Sequence, residues 1–212
     1  MQRLGPLLTD ERRARLQQVA QNRTTQVVSV LENIYDRGNV SAVMRSAESF
    51  GFLKMHLVEA PGARFKAANR VTKGADKWLD VQVHPTAEAT AHTLREQGYQ
   101  IWVTDLETND SLDNLDWTKP LAFVLGNEKD GVSPEMKRLA DGRFRIPMVG
   151  FSQSFNISVA GALIFYRAHL ELLKQQNGAR VTDEQVEKIL ANYYLRCFDN
   201  PEVLLLGGRD RI

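Results

Sequence analysis

The chain has a single cysteine, Cys197, so no disulfide bond can form within it. This excludes the disulfide-stapled scaffold of small secreted proteins and a cysteine-rich zinc module. No apolar run approaches the roughly 18 residues that a membrane-spanning helix needs. The N-terminal residues MQRLGPLLTDERRARL also lack the apolar stretch of a signal peptide. We therefore expect a cytoplasmic protein with no membrane partner.

The chain also has almost no net charge. Its 27 lysines and arginines oppose 26 aspartates and glutamates, which leaves +1 over 212 residues. The overall charge therefore does not indicate nucleic-acid binding, and a surface of that kind must be local. Hydrophobic residues make up 43% and charged residues 25%, as in ordinary globular proteins. At roughly 150 residues per domain, this length favours one domain with extensions.

Two segments do carry local positive charge. One is the N-terminal helix pattern around Arg12 and Arg13, and the other is GARFKAANRVTKGADKW over residues 62–78. The second segment also contains aromatic residues, a combination that suits a phosphate backbone with unstacked bases. The same charges equally suit a solvated loop and helix face. From charge alone, both interpretations stay open.

Helix and strand patterns alternate along the chain and predict an α/β fold. The predicted helices cover residues 7–22, 39–51, 86–97 and 156–176, with a last helix opened by a capping box at Thr182. The predicted strands cover residues 26–32, 54–60, 78–84, 99–106, 120–126 and 143–148. Near-continuous apolar strands indicate a parallel sheet that helices cover on both faces. We expect a doubly wound α/β domain over 26–176, with helical extensions over 1–25 and 177–212.

Several familiar motifs are missing. The spacing of Gly126 and Gly131 fits a phosphate loop, but Val132 stands where that loop requires lysine, which disfavours an NTPase. No G-x-G-x-x-G follows a strand, which disfavours a dehydrogenase. The segment GFSQS ends in Ser154, so it is not a hydrolase nucleophile elbow. The histidines show no metal-ligand spacing, so we expect no metal, with His84 at the surface.

Polar residues stand instead at strand ends and helix starts. Asn39 precedes a predicted helix, and Arg45 follows it by one and a half turns. Glu128 follows the strand PLAFVLG, at the edge where open sheets bind ligands. Asn156 opens the long helix pattern. Each residue also has a plain structural interpretation: the asparagines as helix caps, and Arg45 and Glu128 as solvated charges.

The order of these residues is more specific than any one of them. The pattern N-x-x-x-x-x-R, then L-G-N-E-K-x-G-V-S, then I-P-M-x-G-x-x-Q-S-x-N-x-S resembles the three motifs of the SPOUT class. Within that class, it is most similar to the TrmH (SpoU) family of tRNA and rRNA ribose 2′-O-methyltransferases. The resemblance implies an α/β sheet with a C-terminal trefoil knot. It also implies S-adenosylmethionine as cofactor and a homodimer.

The resemblance also assigns roles to residues of this chain. The implied catalytic residues are Arg45, Asn39, Glu128, Ser154 and Asn156. The implied cofactor contacts are Thr104, Gly126, Ile146 and Phe155, of which Phe155 stands where relatives often carry leucine. The basic residues then become RNA contacts, at Arg12, Arg13, Lys66, Arg70 and Lys73.

The methylated hydroxyl must lose its proton as it attacks, and Arg45 has been proposed as the base in this family. A guanidinium with a pKa above about 12 is a poor base at neutral pH. We therefore expect Arg45 to grip the neighbouring phosphate and orient the 2′-oxygen. Asn39 would hold Arg45 or the ribose.

The substrate expectation rests on the N-terminal segment. Ribosomal members of the family usually carry a separate RNA-binding domain before the catalytic one. Here about 25 residues precede the first strand, fewer than the roughly 40 that an independent core usually takes. We therefore expect tRNA as substrate. The resemblance to the family alone implies guanosine-18 of the D-loop as the target. An rRNA ribose methyltransferase, an inactive RNA-binding module and a different nucleotide enzyme remain as alternatives.

Overall fold

The computed structural model describes residues 3–59, 74–175 and 180–206. The chain divides into two compact units. One unit covers Thr25–Ala179, and the other combines Met1–Thr24 with Arg180–Ile212. The two terminal segments thus belong to one unit, whereas the sequence analysis predicts two separate extensions. The functional division into 1–25, 26–176 and 177–212 stays a prediction.

The larger unit is built on a parallel sheet, which has six strands in the described part of the chain. The strands are β1 (Val27–Glu32), β2 (Lys54–Val58), β3 (Asp80–His84), β4 (Gln100–Thr104), β5 (Leu121–Leu125) and β6 (Gly142–Phe144). Their order across the sheet is β3-β2-β1-β5-β4-β6. Each neighbouring pair is parallel, so all carboxyl ends meet at one edge. The predicted α/β class with a parallel sheet is confirmed, while the knot stays a prediction.

Helices follow most of the strands and also lie in both terminal segments. They are α1 (Asp10–Gln21), α2 (Arg37–Ser49), α3 (Ala87–Glu96), α4 (Pro134–Leu139), α5 (Ile157–Lys174), α6 (Asp183–Arg196) and α7 (Pro201–Leu205). Side chains alternate between the two faces of a strand. Accordingly, Val27 and Leu31 of β1 join the core under α2 and α5, while Val28 and Val30 join the core under α3. The predicted two-sided covering of the sheet is therefore present.

The smaller unit is held by helix caps and a buried polar pair. The Thr9 side chain accepts a hydrogen bond from the backbone N–H of Arg12 and caps α1. Thr182 and Gln185 form the predicted capping box of α6. Arg23 is fully buried and donates from Nε to the Tyr193 hydroxyl at 2.7 Å. The predicted helical extensions are thus present at both ends.

Three local predictions are wrong, each for a physical reason. Helix α2 begins at Arg37 rather than at Asn39, because Asp36 caps it by accepting from the Gly38 N–H. Strand β6 ends at Phe144, and its predicted continuation reaches Pro147, which cannot donate to a strand ladder. His84 is buried, with its Nε2 2.9 Å from Nδ1 of His56. Burial, the neighbouring His84 and Lys54 lower the pKa of His56 to about 4.

Candidate functional site

The candidate site lies at the carboxyl edge of the sheet, between β1 and β5. After β1 the chain continues to β2 on one side, and after β5 it continues past β4 to β6 on the other. The loops that follow β1 and β5 therefore run in opposite directions across the sheet from this point. Open α/β sheets bind ligands at such a switch of strand order. The loops are residues 33–36 and residues 126–133.

Two sets of hydrogen bonds join these loops at their bases. Glu32 is 2% exposed at the end of β1, and its carboxylate accepts from the Ser133 backbone N–H at 2.8 Å and hydroxyl at 2.6 Å. Asn127 donates from Nδ2 to the backbone carbonyl of Asn33 at 2.7 Å. Asn33 has a φ of 51°, which asparagine tolerates better than most residues. The loops are therefore fixed relative to each other.

Glu128 makes the next connection. Its Oε2 accepts from the Tyr35 backbone N–H at 3.0 Å, and its Oε1 accepts from the Asp36 N–H at 3.3 Å. The same Oε1 accepts from Nδ2 of Asn39 at 2.9 Å. The carboxylate thus bonds both the loop after β1 and the first turn of α2.

The polar chain continues from Asn39 to the last motif. Asn156 donates from Nδ2 to Oδ1 of Asn39 at 3.1 Å. Its own Oδ1 accepts from the Ser158 N–H at 2.8 Å and from the Ser158 hydroxyl at 2.5 Å, which caps α5. Glu128, Asn39 and Asn156 therefore form one hydrogen-bonded chain. Asn156 caps its helix as predicted and also belongs to this chain. Asn39 belongs to the chain but caps no helix.

Hydrogen bonds set the charge state of Glu128. Burial alone would raise the pKa of this carboxyl, but the bonds from Asn39, Tyr35 and Asp36 outweigh it. The pKa of Glu128 is therefore lowered from its ordinary value. Its carboxylate stays ionised at neutral pH and is a weak general base. Its hydrogen bonds give Glu128 a structural role, which is to connect the two loops.

A glycine makes the loop after β5 possible. The backbones of Asn127 and Gly131 exchange two hydrogen bonds of 2.9 Å, which turns the loop back on itself. A Cβ atom on Gly126 would lie 2.1 Å from the Gly131 carbonyl carbon and from the Val132 nitrogen. Gly131 has a φ of 70°. The glycine spacing therefore serves a tight turn, because Gly126 leaves no room for a Cβ atom and Gly131 has a left-handed φ that favours glycine.

The predicted cofactor contacts sit around the neighbouring strands β4, β5 and β6. Thr104 ends β4 opposite Phe144 of β6, and its hydroxyl donates to the Val124 carbonyl at 2.9 Å. Gly126 follows β5, and Ile146 is half-buried against the core just beyond β6. Phe155 is 39% exposed. Thr104, Gly126 and Ile146 therefore share one end of three adjacent strands, beside the polar chain but outside it.

Arg45 and Ser154 stand apart from the polar chain. Both are exposed, and neither makes a side-chain hydrogen bond or ion pair within residues 3–59, 74–175 and 180–206. The Asn39 amide is engaged with Glu128 and Asn156 rather than with Arg45. The guanidinium of Arg45 is therefore open to an anion.

The structure describes two of the five predicted RNA contacts, Arg12 and Arg13. Arg13 donates to the carbonyls of Gly5 at 2.8 Å and Leu8 at 3.3 Å, so it has a structural role in the smaller unit. Arg12 is exposed on α1. The remaining three predicted contacts lie outside the described residues, at Lys66, Arg70 and Lys73.

Sequence reasoning missed several residues that build this site. Glu32, Asn33 and Ser133 join the two loops, and Asp36 caps α2. One signal was available: Glu32 is a charged residue at the end of the apolar strand VVSVLE. A charge in a buried strand needs a partner, although the sequence does not name it.

Residues 26–166 match the model of the SpoU rRNA Methylase family. The chain belongs to this family. A relative from Thermus thermophilus, named tRNA (guanosine(18)-2'-O)-methyltransferase, is 36% identical over 189 residues, which is 87% of this chain and 96% of that protein. The crystal structure of the A. aeolicus TrmH/SpoU tRNA modifying enzyme has a TM-score of 0.81 at 30% identity, over 89% of this chain and 97% of that one.

A more distant SpoU methyltransferase, AviRb from Streptomyces viridochromogenes, shares the fold. Its crystal structure, in complex with the cofactor AdoMet, has a TM-score of 0.63 at 23% identity, over 72% of this chain and 63% of that one. The family assignment agrees with the resemblance of the three motifs. Among the described residues, no group of three His, Cys, Asp or Glu side chains could hold a metal ion, and no helix could span a bilayer.

The ionised Glu128 predicts a pH-dependent effect of Glu128→Gln. At about pH 7 we expect a loss of about 1 kcal/mol or less in unfolding free energy, because water reaches the carboxylate and weakens its bonds. Because folding lowers the pKa of Glu128, the wild-type advantage is complete above the ordinary glutamate pKa. It disappears as the pH falls through the lowered pKa of the folded state.

Urea unfolding of both proteins between about pH 7 and about pH 3 measures this difference. Glu107→Gln is the matched control, since Glu107 is exposed and its carboxylate makes no hydrogen bond or ion pair with the described residues. A Glu128→Gln difference that stays constant over the whole pH range would contradict the assigned charge state.

Proposed function

We propose that this protein transfers a methyl group from S-adenosylmethionine to a ribose 2′-hydroxyl of tRNA, at guanosine-18 of the D-loop. The observation that carries the proposal is the hydrogen-bonded chain Glu128–Asn39–Asn156, which joins residues of three separate motifs. Arg45 belongs to the first of these motifs and has an unpaired guanidinium within the described residues. Family membership supports the reaction, and the name of the Thermus relative supports the nucleotide.

The cofactor fits the ends of β4, β5 and β6. An adenosine needs apolar surface for its base and backbone polar groups for its edges. Leu106 is 56% exposed two residues after β4, and Ile146 is half-buried two residues after β6, so apolar side chains are available at this end of the sheet. Thr104, Gly126, Ile146 and Phe155 are the residues that would hold the cofactor. When bound, S-adenosylmethionine supplies an electrophilic methyl group on a sulfonium sulfur.

The protein residues then position the attacking oxygen. Arg45 binds the phosphate next to the target ribose, and this contact aligns the 2′-oxygen for in-line attack. Ser154 has an exposed hydroxyl that can hydrogen-bond to the ribose. The hydrogen bonds between Asn39, Glu128 and Asn156 fix the start of α2 relative to the start of α5. Neither Arg45 nor the low-pKa Glu128 is suited to remove the hydroxyl proton at neutral pH.

The tRNA assignment is tested by offering the protein several RNAs with labelled S-adenosylmethionine. We expect ribose methylation of tRNA transcripts at guanosine-18, mapped by mass spectrometry, and none in a transcript with a 2′-deoxyguanosine there. Ribosomal RNA is the alternative substrate. Methylation confined to ribosomal RNA, or to another tRNA nucleoside, would overturn the substrate while leaving the reaction type intact.

Arg45→Ala tests the assigned mechanism. We expect it to abolish methyl transfer, because the phosphate contact is lost, while the affinity for S-adenosylmethionine changes by less than about twofold. Arg45→Lys keeps the charge but not the two-pronged geometry, so we expect partial activity. Labelled methyl incorporation measures the first effect, and isothermal titration with the cofactor measures the second. Near wild-type turnover of Arg45→Ala would show that its assigned role is wrong.

We further propose that two copies of the chain form a homodimer through α5. This helix buries one face that includes Ile164, Phe165 and Ala168. A second apolar row runs along it with helical spacing and is open to solvent, at Val159 (45% exposed), Leu163 (37%), Tyr166 (52%) and Leu173 (60%). A helix with two apolar faces needs a partner for the second one, and exposed apolar patches of this kind mark interfaces.

Leu163→Glu is expected to convert the dimer into monomers, because it places a charge within the apolar row. Val83→Glu is the matched control, since Val83 is 54% exposed on the edge strand β3 and lies outside the row. Light scattering coupled to size exclusion measures the mass of each variant. A Leu163→Glu variant that remains dimeric would exclude α5 as the interface.

The remaining basic residues complete the proposal. We propose that Arg12 and Arg13 of α1, with Lys66, Arg70 and Lys73, contact the phosphate backbone of tRNA. Arg13 can do so only with the part of its guanidinium that its bonds to Gly5 and Leu8 and its ion pair with Asp10 leave available. The proposed tRNA substrate also supports a cytoplasmic location.

A further inference from the structure

The loop after β1 presents a large aromatic ring to solvent. Tyr35 is 71% exposed, although its backbone is held firmly. Its N–H donates to Oε2 of Glu128 at 3.0 Å, and the preceding Ile34 packs against the core. The following residue, Asp36, is held by its own bond to Glu128 and by capping α2. The backbone that carries the Tyr35 ring is therefore fixed directly beside the Glu128–Asn39–Asn156 chain.

Two cations without a partner among the described residues lie near Tyr35 in the two loops and at the start of α2. Arg37 begins α2 two residues after Tyr35, and Lys129 follows Glu128, which binds the Tyr35 backbone. Both side chains are exposed, and neither forms a hydrogen bond or ion pair with any residue in the described ranges. An aromatic face next to unpaired cations is the arrangement that binds single-stranded nucleic acid.

We propose that Tyr35 stacks on an unpaired base of the RNA substrate, and that Arg37 and Lys129 bind the phosphates on either side of it. The inference rests on the proposed RNA methyltransferase function and deepens it. A ribose in a loop can be reached only if its nucleotide is held out of the stack, and an aromatic side chain can take the place of the lost neighbour. Because Tyr35 is anchored through Glu128, the stacked base would be held in register with the polar chain.

The surroundings of Tyr35 favour a nucleotide over a protein partner. Its exposed polar neighbours in the two loops and at the start of α2 are Asn33, Asp36, Arg37, Glu128, Lys129 and Asp130. A protein interface centred on this ring would bury these polar and charged groups, which is costly where they remain unpaired. A nucleotide instead offers an apolar face to the ring and phosphates to the cations.

The first test compares Tyr35→Ala with Tyr35→Phe. Stacking on an aromatic side chain is worth about 1–3 kcal/mol per base, so we expect Tyr35→Ala to raise KM for tRNA about tenfold or more. Tyr35→Phe keeps the ring, and we expect KM within about twofold of wild type. Affinity for S-adenosylmethionine and the salt dependence of RNA binding should stay unchanged in both. Steady-state methyl transfer and fluorescence titration measure these quantities.

A direct readout uses tRNA transcripts with 2-aminopurine placed in turn at each D-loop position. Stacking quenches this fluorescent base. We expect one position to be quenched by wild type and by Tyr35→Phe, and to remain bright with Tyr35→Ala. The measurement needs binding only, so it reads the stacking contact even if no methyl group is transferred.

The cations are tested by the double variant Arg37→Ala/Lys129→Ala. Each lost phosphate contact lowers the slope of log Kd against log salt by about 0.7–0.9, so we expect a decrease of about 1.5. The control is Lys119→Ala, because Lys119 is an exposed lysine just before β5, at the opposite edge of the sheet, where it pairs with Asp116 at 3.3 Å. We expect the control to leave the slope unchanged.

The outcomes separate this inference from the proposed function. If wild type methylates no RNA, the proposed function fails, and the 2-aminopurine titration still decides the stacking contact. If wild type methylates tRNA but Tyr35→Ala binds and turns over normally, the inference is wrong. Equal impairment of Tyr35→Ala and Tyr35→Phe would overturn stacking in favour of a hydroxyl contact. A change in the oligomeric mass or in the melting temperature of Tyr35→Ala would also overturn the inference.

Discussion

The carboxylate of Glu128 is the point on which the geometry of the site depends. It accepts hydrogen bonds from two consecutive backbone N–H groups and from the amide of Asn39. One side chain thereby fixes the path of a loop, the start of α2 and the orientation of an asparagine. The sheet delivers the loops after β1 and β5 to the same edge, but a parallel sheet does not set the conformation of its loops. Glu128 and the residues around it supply that conformation.

A second carboxylate, that of the buried Glu32, stabilises the loop that carries Glu128. Glu32 bonds the backbone and hydroxyl of Ser133, whose hydroxyl also caps α4 by accepting from the Met136 N–H. The loop that carries Glu128 is thus held at its far end by Glu32 and folded tightly by Gly126. This arrangement explains why a charged residue ends an apolar strand. Its cost of burial is offset by two good donors.

Local patterns in the sequence predicted the elements better than the contacts between them. The capping box of α6 and the two-sided covering of the sheet both follow from neighbouring residues and periodicity. The bonds from Asn39 to Glu128 and to Asn156 join residues 89 and 117 positions apart. No local pattern specifies such pairs, so the residues next to Asn39 indicate only a helix cap. Only the resemblance of the motifs brought these residues together. Tyr35 was missed because exposure depends on the tertiary structure.

The isolation of Arg45 has a consequence for how substrate binding and catalysis are coupled. An arginine paired with an acid would be pre-oriented, but a phosphate would then have to displace that acid. Here the Asn39 amide is engaged elsewhere, and the Arg45 guanidinium is solvated and unpaired within the described residues. In the mechanism we propose, the phosphate that Arg45 binds would complete its orientation. The hydrogen bonds of the polar chain are already formed without RNA, whereas the RNA would order the arginine. The reacting oxygen would then be aligned only when the correct backbone is bound, and part of the binding energy of the RNA would be used for positioning.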